Sequence, residues 1–327
     1  MPEKLSASIA IQNFRVKIIT NDSKVLKLLD EQLELARYRR IEKPAFEVLF
    51  NLERTDLYKI PRTKRDVFKQ EPLFQDEHIS DDSIIINVGF RTLQVDINPK
   101  EDYVHVYIAY GQDFIDRNLF FDLVFFQPLR FLLRFHKIYV LHSGCVVKDN
   151  SAVLLAGNPG SGKSIISLSL VRNGYKYLTD DDTFFWQKGD NIECFAFYSE
   201  PKIKNYLLRY FPEMKRKYLK PLKQDKKQKV EIKKLYPNCF QDKSSPKLLI
   251  FPEFSLHSKT RIEAIDKQYA LRRLVEDKFR IFQGQYENIS KLHFETLSKL
   301  VKQVKTYKLI YKDQDVDMIP ELVSRLL

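Results

Sequence analysis

The chain has 327 residues, 44% of them hydrophobic, enough to bury a large core and to build one catalytic domain with a smaller one attached. Its three cysteines, Cys145, Cys194 and Cys239, are odd in number and scattered, which excludes a disulfide framework and a cysteine zinc site. The opening Met-Pro-Glu-Lys-Leu-Ser-Ala has no apolar core long enough for a secretory signal, so a cytoplasmic location is expected.

Alternating stretches at Phe14–Ile19, Phe46–Phe50, Ile84–Ile86 and Val104–Ile108 predict strands, and Val25 to Tyr38 predicts a helix. Together they predict a small α+β region over residues 1–115, to which substrate recognition or assembly is the best assignment. Leu119 to Phe135 is rich in Leu and Phe, but Asp122, Gln127, Pro128, Arg130 and Arg134 interrupt it. Such charges are costly at a bilayer centre, so the segment predicts a buried helix with a proline kink or break and no membrane partner. Its expected place is beneath the next strand, Val140 to Val147, which carries His142 and Gly144.

Ala152-Val-Leu-Leu-Ala156 predicts an apolar strand, and Gly157-Asn158-Pro159-Gly160-Ser161-Gly162-Lys163-Ser164 follows it directly. Glycines at this spacing let successive backbone N–H groups turn inward as an anion nest. A helix over Lys163 to Asn173, with Gly174 at its C-cap, adds its N-terminal dipole to the same spot. Lys163 is placed to reach the β- and γ-phosphates, and Ser164 to ligate Mg²⁺. A second strand then ends in Asp180-Asp181-Asp182. A βαβ-type return brings this end beside the phosphate loop, where one carboxylate can hold the metal and another accept a proton from an attacking hydroxyl. The alternatives are a solvated acidic turn for the aspartates and a hydrogen-bonded core residue for His142.

Between Lys202 and Lys247 stand 15 Lys or Arg against 4 Asp or Glu, a surplus of 11 in a chain of net charge +12. Such a segment attracts polyphosphate, an acidic protein partner or nucleic acid, or else forms a solvated helix face and loop. Lys226, Lys227 and Lys229 are candidates for a cation that closes over the nucleotide. Beyond it, Lys247 to Pro252, Arg261 to Ile265 and Thr306 to Tyr311 predict strands. Lys267 to Glu276 and Ile289 to Val304 predict helices, the second with Ser290, Phe294, Leu297, Leu300 and Val301 on one face.

The order His142, the loop closing Gly162-Lys163-Ser164, a helix ending at Gly174, and the pair Asp180-Asp181 resembles the HPr kinase/phosphorylase catalytic domain and its wider related group. The resemblance spans His142 to Asp182. It implies an α/β fold similar to phosphoenolpyruvate carboxykinase, a P-loop domain with a mixed sheet over residues 116–327. It further implies Asp180 as base, Asp181 supporting the metal, and His142 lining the site. The family's second signature, a glutamate before an Ile-Arg-Gly type run, has no counterpart. In its place stands Phe197-Tyr-Ser-Glu200-Pro, where Glu200 is either a substitute metal ligand or a surface residue. The departure argues against HPr as the acceptor and leaves standing the wider group, including kinases that act on peptide or small-molecule hydroxyls.

The resulting expectation is an ATP- and Mg²⁺-dependent phosphotransferase. Its catalytic residues are Asp180, Asp181, Lys163 and His142, its nucleotide is held by residues 157–164, and its metal by Ser164 and Asp181. A nucleotide-binding regulator without catalysis shares the same loop. The absence of an Asn-Lys-x-Asp motif and of a Leu-Ser-Gly-Gly motif argues against ordinary GTPases and ABC-type ATPases, and no nucleic-acid-binding signature accompanies the lysines. The sequence leaves the assembly state open, a homo-oligomer included.

Overall fold

The computed structural model of the protein describes residues 4–33, 43–60, 75–79, 84–88, 93–110, 120–197, 199–214, 227–276 and 287–327. The chain forms two compact units, Met1–His136 and Lys137–Leu327. Among the described residues no helix is long and apolar enough to cross a membrane.

The N-terminal unit contains β1 (Leu5–Ile11), β2 (Phe14–Thr20), α1 (Ser23–Leu33), β3 (Phe46–Thr55), β4 (Gln75–Ile79), β5 (Ile84–Val88), β6 (Leu93–Asn98), β7 (Tyr103–Ala109) and α2 (Gln127–Phe135). Its strands form one mixed sheet in the order β1-β2-β3-β7-β6-β5-β4. Period-two patterning buries Val48, Phe50 and Leu52 of β3 and Val104, Val106 and Ile108 of β7 on one face. The end of the helix expected over Val25 to Tyr38 lies outside the described residues, as does Leu119. The Leu- and Phe-rich segment differs from expectation in the nature of its irregularity. Its irregularity is a π-helical turn at Asp122–Phe126, while Pro128 occupies the first turn of α2, where a missing N–H is harmless. It also packs on the N-terminal sheet, with the Phe125 ring 5.0 Å from Phe50. The aromatic run favours the face that offers aromatic partners.

The C-terminal unit contains β8 (Ile138–Lys148), β9 (Ser151–Ala156), α3 (Lys163–Arg172), β10 (Lys176–Thr179), β11 (Asp182–Lys188), β12 (Asn191–Phe195), β13 (Lys202–Lys204), β14 (Lys227–Lys229), β15 (Lys243–Phe254), β16 (Arg261–Ala264), α4 (Lys267–Glu276), α5 (Glu287–Gln303), β17 (Lys305–Tyr311) and α6 (Ile319–Ser324). The central strand β9 runs antiparallel to β8 and parallel to β15, which in turn runs parallel to β17. The first half of β8 also pairs with β11, which continues through β12 to the start of β15. Strands β8, β11, β12, β15 and β9 therefore close a ring of main-chain hydrogen bonds.

Strand β9 is apolar throughout because it is covered on both faces. Val153 and Leu155 enter one core with α3, and Ala152, Leu154 and Ala156 enter a second with α4 and α5. Helix α3 is buried nearly all round, from Ile165 to Val171. Helix α5 buries Ile289, Ser290, His293, Leu297, Leu300 and Val301, whereas Phe294, expected on that face, is 44% exposed. The His293 ring stacks on Tyr139 and is buried on that face.

Candidate nucleotide and phosphotransfer site

The site is built around β8. On one side, Ala156 ends β9 opposite Ser143, and the chain leaves as the glycine loop. On the other side, Thr179 ends β10 opposite Cys145, and the chain leaves as Asp180 and Asp181 before Asp182 returns opposite His142. Two neighbouring strands thus release the loop and the acidic turn at the same level of β8, with His142 beside them. Gly144 makes this approach possible. A Cβ there would lie 2.8 Å from Ser167 Oγ of α3 and 3.7 Å from Asp180 Cα. The strand has to be bare at that point for helix and turn to close on it.

Within the loop, Gly157, Gly160 and Gly162 all take positive φ, at 142°, 88° and 98°, and Gly162 caps α3. Asn158, Pro159 and Gly160 are exposed, Ser161 and Ser164 are half-buried, and the Lys163 side chain is buried. Lys163 Nζ donates to the carbonyls of Gly157 at 2.5 Å and Asn158 at 3.3 Å, so its charge sits inside the curve of the loop. From β17, Tyr311 Oη donates to the Ser161 carbonyl at 3.2 Å and occupies the space a Cβ on Gly162 would need.

The acidic turn is held from both ends. Tyr177 Oη donates to Asp180 Oδ1 at 2.8 Å, and burial together with that carboxylate pushes the phenol's pKa well up, so it stays a donor. His142 Nδ1 lies 2.9 Å from Asp181 Oδ1 and 3.9 Å from Asp182 Oδ1. The bond to Asp181, then that to Asp182, raises His142 to about 9, against burial and against the nearby Lys163 charge. One nitrogen of His142 and one oxygen each of Asp181 and Asp182 lie within 4.8 Å of one another, and with the ring protonated the two carboxylates are the oxygens left to face a divalent cation.

The carbonyls of Gly157 and Asn158 hold the Lys163 ammonium, and Asp180 and Asp181 lie on the other side of β8's bare Gly144 with His142 beside them. Glu200 is not a surface residue. It is 2% exposed, and its Oε2 accepts the Ile232 N–H at 2.9 Å, a bond that fixes the chain within the lysine-rich segment. Lys226 and the residues from 215 lie outside the described residues, whereas Lys202–Lys204 and Lys227–Lys229 pair as a short antiparallel ribbon. Three site residues escaped the sequence reading. Tyr177 stands three residues before Asp180, a local signal open to use, and Gly144 broke an otherwise apolar strand. Tyr311 gives no signal, because only the parallel pairing of β15 with β17 brings it to the loop.

No family model matches the chain, and no curated protein matches it. Among solved structures it is similar to the Hpr(Ser) kinase/phosphatase from Coxiella burnetii, at 15% identity and a TM-score of 0.31, over 57% of this chain and 94% of that one. That is a distant structural relation and no more, and the chemistry has to be read from this chain's own residues.

Proposed function

We propose that the C-terminal unit is an ATP-dependent phosphotransferase that moves a γ-phosphate to a serine or small-molecule hydroxyl. The observation that carries this reading is the release of the glycine loop and of Asp180 from strands on either side of β8, with Gly144 bare between them. A loop alone would serve any nucleotide-binding protein. A carboxylate held beside it is what transfer to a hydroxyl requires.

In this reading the backbone N–H groups of 157–163 and the Lys163 ammonium bind the phosphates. Asp180, half-buried and oriented by Tyr177, accepts the proton of the attacking hydroxyl. Asp181 and Ser164 would hold Mg²⁺, with the Asp182 carboxylate close to Asp181. The metal supplies charge neutralisation for the phosphoryl oxygens. His142, positively charged beside Asp181, orients that carboxylate.

The test is transfer of label from γ-³²P-ATP by wild type and Asp180→Asn into protein and small-molecule fractions. Label that reaches an acceptor with wild type alone supports the base assignment. Equal transfer by the variant removes Asp180 from that role. Nucleotide binding without transfer to either fraction by wild type replaces the reading with a nucleotide-binding regulator.

A further inference from the structure

The phosphate loop has an acidic side and an aromatic side. Across β8 from β9 stand the carboxylates, while across the parallel neighbours β15 and β17 the strand ends carry Phe254 and Tyr311. In a parallel arrangement ligands lie over these carboxyl ends. A triphosphate whose γ-end faces Asp180 runs along the loop in the other direction, toward β15 and β17.

What waits there is out of keeping with an ordinary surface. Tyr311 is 2% exposed, touches the loop through the Ser161 carbonyl and Gly162, and meets the ring of Phe254 edge-on with centroids 5.9 Å apart. Phe254 itself is 44% exposed, and Tyr206 is 47% exposed. The Lys204 ammonium and Arg209 guanidinium stand 5.9 and 6.0 Å from the Tyr206 ring centroid. Arg209 is in turn fixed to Asp313, just past the end of β17, at 2.9 Å. An exposed Phe254 ring against Tyr311, and an exposed Tyr206 ring carrying two cations and tied through Arg209 and Asp313 to the end of β17, suit a flat heteroaromatic ring attached to a polyanion.

Resting on the phosphotransferase reading for the loop itself, we infer that Phe254 and Tyr206 form the nucleobase subsite, with Arg209 anchored by Asp313 behind it. The base stacks on an aromatic face and the phosphates continue into the loop. Recognition through stacking makes the subsite tolerant of which base is presented, since every base has a π-face.

The experiment compares Mg²⁺-ATP with Mg²⁺-tripolyphosphate, which has the phosphates and no base, by calorimetry on the full chain. The variants are Phe254→Ala and Tyr206→Ala, both at exposed positions, with thermal unfolding as the control for folding. The expected result is that each variant weakens ATP on the order of tenfold and leaves tripolyphosphate unchanged. Retention of wild-type ATP affinity by both variants would overturn the subsite while leaving the loop reading intact. Failure of tripolyphosphate and ATP alike to bind wild type would overturn the loop reading and the subsite with it. A comparable loss for both ligands would show that the aromatics support the loop and do not touch a base.

Discussion

His142 gives the site its pH dependence. Its pKa stands at about 9, above the ordinary 6.5, through Asp181 first and Asp182 second. A pKa raised on folding stabilises the protein fully below the unfolded value of about 6.5 and loses that contribution as pH rises through the folded value. In chelator, wild type is therefore expected to unfold at a higher temperature than His142→Gln at pH 6, with the gap closing by pH 10. A gap that is constant in pH would mean that the ring is neutral. Asp180→Asn is expected to cut transfer by roughly 10²–10⁴-fold with ATP affinity little changed, since only proton acceptance is lost. Lys163→Ala removes a charge from within the loop and is expected to weaken ATP itself, by on the order of 2 kcal/mol in equilibrium binding. Tyr177→Phe keeps the ring in the core and deletes one bond to Asp180; the expected signature is a lower kcat at unchanged Kd for ATP.

At the scale of elements, two glycines with the same backbone and different surroundings separate conformational strain from collision. Gly162 and Gly174 both take positive φ, at 98° and 88°, at the start and just past the end of α3. A Cβ on Gly174 meets nothing within 4 Å, while one on Gly162 would fall 1.7 Å from Tyr311 Oη. Gly174→Ala is expected to cost about 1–2 kcal/mol, the left-handed penalty alone. Gly162→Ala is expected to exceed that in chemical denaturation and to lose nucleotide binding as well. The same helix shows how far sequence reading reaches. The loop, α3 and the strand before them were legible because glycine spacing, an apolar run and a C-cap are local signals. The contact of Phe125 with Phe50 was not, because the two rings are far apart in sequence and only the fold brings them together. Tyr311 was hidden for the same reason, its contact with Ser161 depending on strand pairing alone.

For the whole molecule, the two cores flanking β9 are made from residues of the C-terminal unit. Residues 137–327 expressed alone are accordingly expected to fold cooperatively and bind tripolyphosphate with the affinity of the full chain, as calorimetry would reveal. The ring formed by β8, β11, β12, β15 and β9 has a further consequence. A ladder with open edges frays one strand at a time, whereas a strand in a closed circuit is released only when bonds break on both of its flanks. The amides of β8 and β9 then exchange with solvent only through near-complete unfolding of the unit, so the two strand ends that present loop and acidic turn hold their separation on every timescale shorter than that opening.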